Sequence, residues 1–201
     1  HDEAAAVIGD AVDRGFDVVG VHAHVGSGML TDEDVAAHRE VVERLAAVAR
    51  NAPADLEFVD AGGGFGVPYR PDEEPLALDS VADATRTALA DVDADLVLEP
   101  GRYFVADAGV LLTEVNTVKP TDGATLAGVD AGMTTLLRPA LYGAHHGVRS
   151  LAPDAADRDA DAVDVVGPIC ESTDVLAEDR RLPAPERGDL LAVGNAGAYG
   201  V

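Results

Sequence analysis

An α/β half followed by a β half is the fold class that the order of apolar runs in this 201-residue sequence predicts. Three observations lead there. Up to about residue 100, runs of strand length alternate with segments of helical period, and strand-helix units in succession imply parallel strands with helical crossovers. From about residue 113, short apolar runs are separated by turn residues, which reads as antiparallel strands. The chemically interesting residues of the first half also sit just after its strands. That is the end at which (β/α)8 barrels and open doubly wound sheets carry their sites.

Taken in order, residues 17–25 (DVVGVHAHV) form a Val-rich strand bounded by glycines. Thr31 caps a helix through DEDVAAHREVVERLAAVAR, whose first turn is acidic and whose Val35, Val42, Leu45 and Val48 share one face. Residues 56–60 (LEFVD) are a second strand, ending in Gly62-Gly63-Gly64; a helix over about 80–91 precedes a third strand at 95–98. The second half offers strands at 111–118, 124–129, 162–166 and 189–193, with a polar surface loop at 153–161. The domain division drawn from this is residues 1–112 and 113–201.

Composition narrows the function. With 37 acidic residues against 14 basic ones, the formal net charge is −23, so a nucleic-acid partner, which needs a basic face, is excluded. Thirteen of the basic residues are Arg and one, Lys119, is Lys. An acidic, Lys-poor surface suits a halophilic protein, since salt screens its self-repulsion. No run of about 18 apolar residues exists to span a membrane. A single cysteine, Cys170, permits no intramolecular disulfide and suits a reducing cytoplasm. The start, His1-Asp2-Glu3-Ala4, has neither initiator Met nor signal-peptide character, so the chain is expected to begin inside a longer protein.

Each motif has a chemical and a plain reading. Gly62-Gly63-Gly64-Phe65-Gly66 after a strand can aim amides at a phosphate, or can be a turn; it fits neither the dinucleotide fingerprint nor the P-loop. Glu99-Pro100-Gly101-Arg102 sets a carboxylate able to hold a ring nitrogen protonated beside a guanidinium suited to phosphate or carboxylate, or is a surface ion pair. His22 and His24 alternate on one strand face, but no cluster at metal spacing accompanies them, so no metal is assigned. Cys170, between Ile169 and Glu171, is a proton donor beside carboxylates or a small buried hydrophobe. Asp130-Ala131-Gly132-Met133 and residues 138–142 (RPALY) read, by themselves, as a turn and an edge strand.

In order, GVHAHVGSG, VDAGGGFGVPY, EPGRYFVADAGVLLTEVNTVK, VDAGMTTLLRPALYGAHH, VVGPICESTDVL and GDLLAVGNAGAYG resemble the successive motifs of the fold-type III pyridoxal-phosphate (PLP) decarboxylases over about residues 18–200. RPALYGAHH and GPICESTD resemble the family's diaminopimelate-type branch; ornithine-type members carry Asp where this chain has Glu171. The resemblance implies the C-terminal half of a PLP-binding (β/α)8 TIM-like barrel followed by an incomplete antiparallel β domain, in a homodimer with shared active sites. It implies pyridoxal 5'-phosphate as cofactor, held by His24, Ser27, Gly64, Glu99, Gly101, Arg102 and Tyr199, with Glu99 at the pyridine nitrogen. Arg102, Arg138, Tyr142, Glu171 and Tyr199 are the implied substrate contacts. Cys170 is the implied catalytic proton donor, supplied with Glu171 by the neighbouring subunit. The implied reaction turns meso-diaminopimelate into L-lysine and carbon dioxide.

The family's Schiff-base lysine precedes HVGSG, and no Lys does so here. The expectation is therefore an internal fragment, about half an enzyme, inactive alone and without its covalent anchor. Competing readings are a relative acting on arginine, ornithine or carboxynorspermidine, and a non-catalytic regulatory homologue. The second is disfavoured because Cys170, Glu99 and Arg102 are all kept.

Overall fold

The computed structural model describes residues 3–24 and 26–200. It divides into two compact units. One runs to Tyr103 without Tyr69–Asp72; the other is Tyr69–Asp72 together with the described residues from Phe104 onward.

In the first unit, α1 (Ala4–Asp13), which the sequence reading lacked, precedes β1 (Gly20–His22). Then α2 (Asp32–Arg50) leads to β2 (Phe58–Asp60), and α3 (Leu78–Ala88) to β3 (Asp95–Val97). The strands pair in parallel in the order β1-β2-β3. Val25, part of the expected first strand and of HVGSG, lies outside the described residues. Backbone bonds from Ala23 N to Asp60 O and from Ala61 N to Val97 O carry the pairing one residue past the ladders, so the strand ends stand in register.

The start of α2 follows from local chemistry. Thr31 Oγ1 accepts from Asp34 N at 3.2 Å, and the Asp34 carboxylate accepts from the amides of Thr31 and Leu30 at 2.8 and 2.9 Å. This is a reciprocal capping box, and the Leu30 and Thr31 amides hold the Asp34 carboxyl below its ordinary range. The apolar face of α2 buries Val42, Leu45 and Ala46, and the first two pack with Val59, Ala61 and Ala88. On the same helix His38 is buried, with Nε2 2.9 Å from Thr85 Oγ1. The Thr85 hydroxyl donates to Val81 O, so the imidazole N–H must donate to Thr85. Burial pushes His38 below the ordinary imidazole value.

The second unit is a six-stranded sheet in the order β6-β9-β4-β5-β7-β8. Its strands are β4 (Leu111–Pro120), β5 (Thr125–Val129), β6 (Val148–Ser150), β7 (Ala160–Val166), β8 (Val175–Pro183) and β9 (Leu190–Val193). β4 serves two neighbours: residues 111–114 pair with β9, and residues from Val115 on pair with β5 past a register shift. The core is Val115, Val129, Val163, Val165, Leu176, Leu191 and Val193, with Leu136 laid over it.

The expected antiparallel pairing holds except between β5 and β7, which run parallel. A parallel pair needs a long crossover. The crossover from 130 to 159 contains β6 and a one-turn helix, α5 (Arg138–Tyr142). The reading of residues 138–142 as an edge strand is thus corrected. Pro139 sits in the first turn of α5, where its missing N–H costs nothing, and Gly143 closes it at φ +59°. The expected loop at 153–161 holds a 3-10 turn, and Arg158 there joins Asp154 and Asp189.

Candidate functional site

In the first unit the expected cofactor residues gather at the carboxyl ends of β1, β2 and β3. Asp60, buried at the end of β2, accepts from Gly62 N at 2.8 Å and turns the chain into the glycine run. Gly62 has φ +69°, and a methyl there would stand 2.5 Å from Ala23 O; one at Gly63 would strike the Glu99 carbonyl oxygen. The glycines are therefore demanded by the neighbouring strand ends as well as by any ligand. A methyl at Gly64 (φ +93°) would lie 3.0 Å from Gly26 O and 3.9 Å from Ser27 Cα, which places Gly64 and Ser27 on one wall.

Glu99, just past β3, lies with Oε2 3.6 Å from His22 Nε2 and 3.8 Å from His24 Nδ1. The second contact is not an ion pair. His24 Nδ1 accepts from Gly63 N at 3.1 Å, so it carries no proton to share with Glu99, and the ring's N–H is on Nε2. A half-exposed carboxylate held beside two imidazoles and walled by glycines can stand opposite a cationic ring nitrogen. Gly101 opens the short helix α4 (Gly101–Val105), with Arg102 half-buried on its first turn.

His22, Asp60 and Glu99 also bring one ligand atom each within 4.8 Å of one another. The statement that no such cluster accompanies the histidines is corrected: the third member, Asp60, comes from the middle strand, 38 residues from His22 in number. Two of the three are largely exposed, and no metal is assigned.

In the second unit the expected substrate residues lie on three segments. Arg138 on α5 is held through its guanidinium. Its guanidinium lies 4.5 Å from the Tyr69 ring centre, and Nη1 is 2.9 Å from His146 Nε2. Since Arg only donates, His146 Nε2 accepts and its Nδ1–H donates to Gly194 O at 2.9 Å. His146 is fully buried and meets Tyr69 edge-on. Neither Tyr69 nor His146 was singled out from sequence, although both stand inside quoted motifs (VDAGGGFGVPY and RPALYGAHH).

Tyr142 and Tyr199 are 73% and 67% exposed. Tyr199 adopts φ +53°, a strained conformation for a bulky residue and a pointer to function. Leu137 N donates to Gly200 O at 2.7 Å, which ties the Tyr199 segment to the start of α5. Cys170 and Glu171 occupy the exposed loop between β7 and β8. The Glu171 carboxylate accepts from Thr173 N and Ser172 Oγ, each at 3.3 Å. An exposed thiol, an exposed carboxylate and a fixed guanidinium can serve a zwitterionic ligand.

Residues 10–197 match the family model described as the pyridoxal-dependent decarboxylase, C-terminal sheet domain. A diaminopimelate decarboxylase of Methanothermobacter thermautotrophicus is 44% identical across 98% of this chain and 47% of its own length. One from Pseudomonas aeruginosa is 46% identical across 99% of this chain and 47% of its own. The crystal structure of diaminopimelate decarboxylase from Helicobacter pylori, complexed with L-lysine, aligns with a TM-score of 0.90 at 37% identity, over 99% of this chain and 49% of that one. The chain spans about half the length of the curated relatives it matches.

Proposed function

Because the chain belongs to the pyridoxal-dependent decarboxylases, we propose that the whole protein carrying it is a carboxy-lyase that converts meso-2,6-diaminopimelate to L-lysine and carbon dioxide. The observation that carries this is Glu99, set within 4 Å of two ring nitrogens at glycine-walled strand ends. That cradle fits pyridoxal 5'-phosphate: it offers a carboxylate for the pyridine nitrogen and leaves no space for a β-carbon at Gly62 or Gly63. His24, Ser27, Gly64, Glu99, Gly101, Arg102 and Tyr199 are the residues that would hold it. When bound, the cofactor supplies the electron sink for decarboxylation.

The chain's own residues do the rest. Glu99 keeps a negative charge at the ring nitrogen. Arg102 and Arg138 take the substrate's carboxylates, and the phenols of Tyr142 and Tyr199 help to seat it. Glu171 takes the distal ammonium, so a substrate lacking that head leaves polar groups unpaired. The Cys170 thiol hands a proton to the α-carbon. In this reading two copies share their sites, Cys170 and Glu171 serving the neighbouring subunit. Residues 1–112 contribute to the barrel and residues 113–201 to the β domain. The exposed β3 and the residue after it, with Leu96, Val97 and Leu98 each about 40% accessible, suit a barrel wall that is covered in the whole protein. Lys119, the single lysine, is paired with Leu126 in the β4–β5 ladder, so we place the Schiff-base lysine outside this sequence.

The test is lysine formation by the whole protein supplied with cofactor and meso-diaminopimelate. Glu171→Asp is expected to lower kcat/KM for diaminopimelate by about 10-fold or more, as misfitted buried polar partners do. Preferential turnover of arginine, ornithine or carboxynorspermidine would move the assignment to that branch, and cofactor binding without turnover of any of them would make it regulatory. The net charge of −23 supports a halophilic setting, and the single cysteine a reducing cytoplasm. Unfolding midpoints should rise with KCl, and full stability in dilute buffer would refute that setting. Among the described residues no helix is long and apolar enough to cross a membrane.

A further inference from the structure

The loop that carries Cys170 and Glu171 is exposed, and a group that must meet a reacting carbon cannot be left to wander. What holds it is Asp174. This carboxylate is only 3% exposed, and among the described residues it pairs with no guanidinium or ammonium. Its charge is met by two backbone amides instead. Met133 N donates to Oδ1 at 2.6 Å, and Ile169 N donates to Oδ2 at 3.0 Å. The loop's backbone closes around the same residue, with Gly167 N donating to Asp174 O at 2.8 Å and Asp174 N donating to Glu171 O at 3.0 Å. The two donors to the carboxylate belong to different segments. Ile169 directly precedes Cys170, whereas Met133 lies in the turn that leads into α5, which bears Arg138 and Tyr142.

The surroundings leave the carboxylate one place to be. A methyl added at either Gly132 or Gly167 would collide with its oxygens. These two glycines are required by space, whatever their backbone angles. A buried anion bonded only to amides is stable when its lone pairs are filled and costly when one is not.

We propose that Asp174 is the positioning residue of the active-site loops: its carboxylate clamps the Cys170–Glu171 loop to the turn leading to Arg138 and Tyr142, fixing proton donor and substrate grip relative to each other. The proposal rests on the roles assigned above to Cys170 and Glu171. Asp174 touches neither substrate nor cofactor and acts through the loops.

Asp174→Asn keeps the size but sets an amide N–H against one of the two donors. In the whole protein, kcat is expected to fall by about 10²-fold, the scale on which a displacement of about 1 Å acts, while cofactor affinity, to which Tyr199 is the one contributor assigned from this unit, falls far less. The alkylation rate of Cys170, mapped by mass spectrometry, should change severalfold. The amides of Met133 and Ile169 should lose hydrogen-exchange protection while those of the β4–β5 ladder keep theirs. Gly167→Ala, which keeps the carboxylate but takes its space, should give the same pattern, and the double variant should be no worse than the single ones. If Asp174→Asn does not fold, exchange in the unaltered protein still decides: unprotected Met133 and Ile169 amides overturn the clamp. A folded Asp174→Asn with unchanged Cys170 reactivity and unchanged kcat also overturns it. If exchange and thiol reactivity respond but Cys170→Ala leaves turnover intact, the clamp stands and the role given to Cys170 falls.

Discussion

Glu99→Gln is expected to lower the turnover of diaminopimelate by about 10²–10³-fold, the usual scale for removing one preorganised electrostatic contact from an active site. Glutamine keeps the shape of the side chain and its place beside His22 and His24, 3.6 and 3.8 Å away. It removes the charge. If the carboxylate's work is to keep a positive charge on a ring nitrogen, the loss appears in kcat with little change in KM, because the group faces the cofactor and not the substrate. His22→Gln is the companion measurement. His22, at the end of β1, lies against the same carboxylate oxygen, so its replacement should shift Glu99 without removing its charge, and the loss should be smaller. Equal turnover in Glu99→Gln and the unaltered protein would remove Glu99 from the chemistry.

How much of this was legible in the sequence depends on whether the determinant was local. The capping box at Thr31 and the apolar face of α2 were readable because each is complete within a few turns of chain: Thr31 and Asp34 are three residues apart, and Val35, Val42 and Leu45 recur at helical spacing. The parallel order of β1, β2 and β3 followed from alternation alone. The parallel pairing of β5 with β7 did not, because it is decided by a 130–159 crossover whose local pattern looks like turns and short strands. Residues 138–142 illustrate the same limit: Pro139 is tolerated in the edge strand that the local pattern suggests, and only the surrounding chain shows one helical turn, where proline is equally welcome.

The site divides in the same way. Glu99, Arg102, His24 and Cys170 stood out by the chemistry of their motifs, each of which also allowed a plain reading, and their roles came from the resemblance to a family. Asp60 and Asp174 were missed although they stand in those motifs, for a physical reason. An aspartate that ends a strand or a loop reads as an exposed turn residue, and only the fold shows that backbone amides have replaced its water. Tyr69 was missed because its role depends on Arg138, distant in sequence and brought over its ring by the fold.

His146 gives the other large expected effect. It is fully buried and bridges Arg138 to Gly194 O, accepting on Nε2 and donating from Nδ1. His146→Ala leaves a carbonyl without its donor, at a cost of about 1–3 kcal/mol, and removes the acceptor that holds Arg138 Nη1. The larger consequence is for the substrate. An arginine released from one of its supports must be ordered again by the ligand, so KM for diaminopimelate should rise by about 10-fold for each 1.4 kcal/mol so spent, with kcat less affected. His146→Gln separates the two effects, since its amide can both donate to Gly194 O and accept from Arg138 and should restore KM ahead of stability. A low KM in His146→Ala at full folded population would mean that Arg138 is not the residue that grips the substrate's carboxylate, and the specificity argument built on Arg138 and Glu171 would then rest on Glu171 alone.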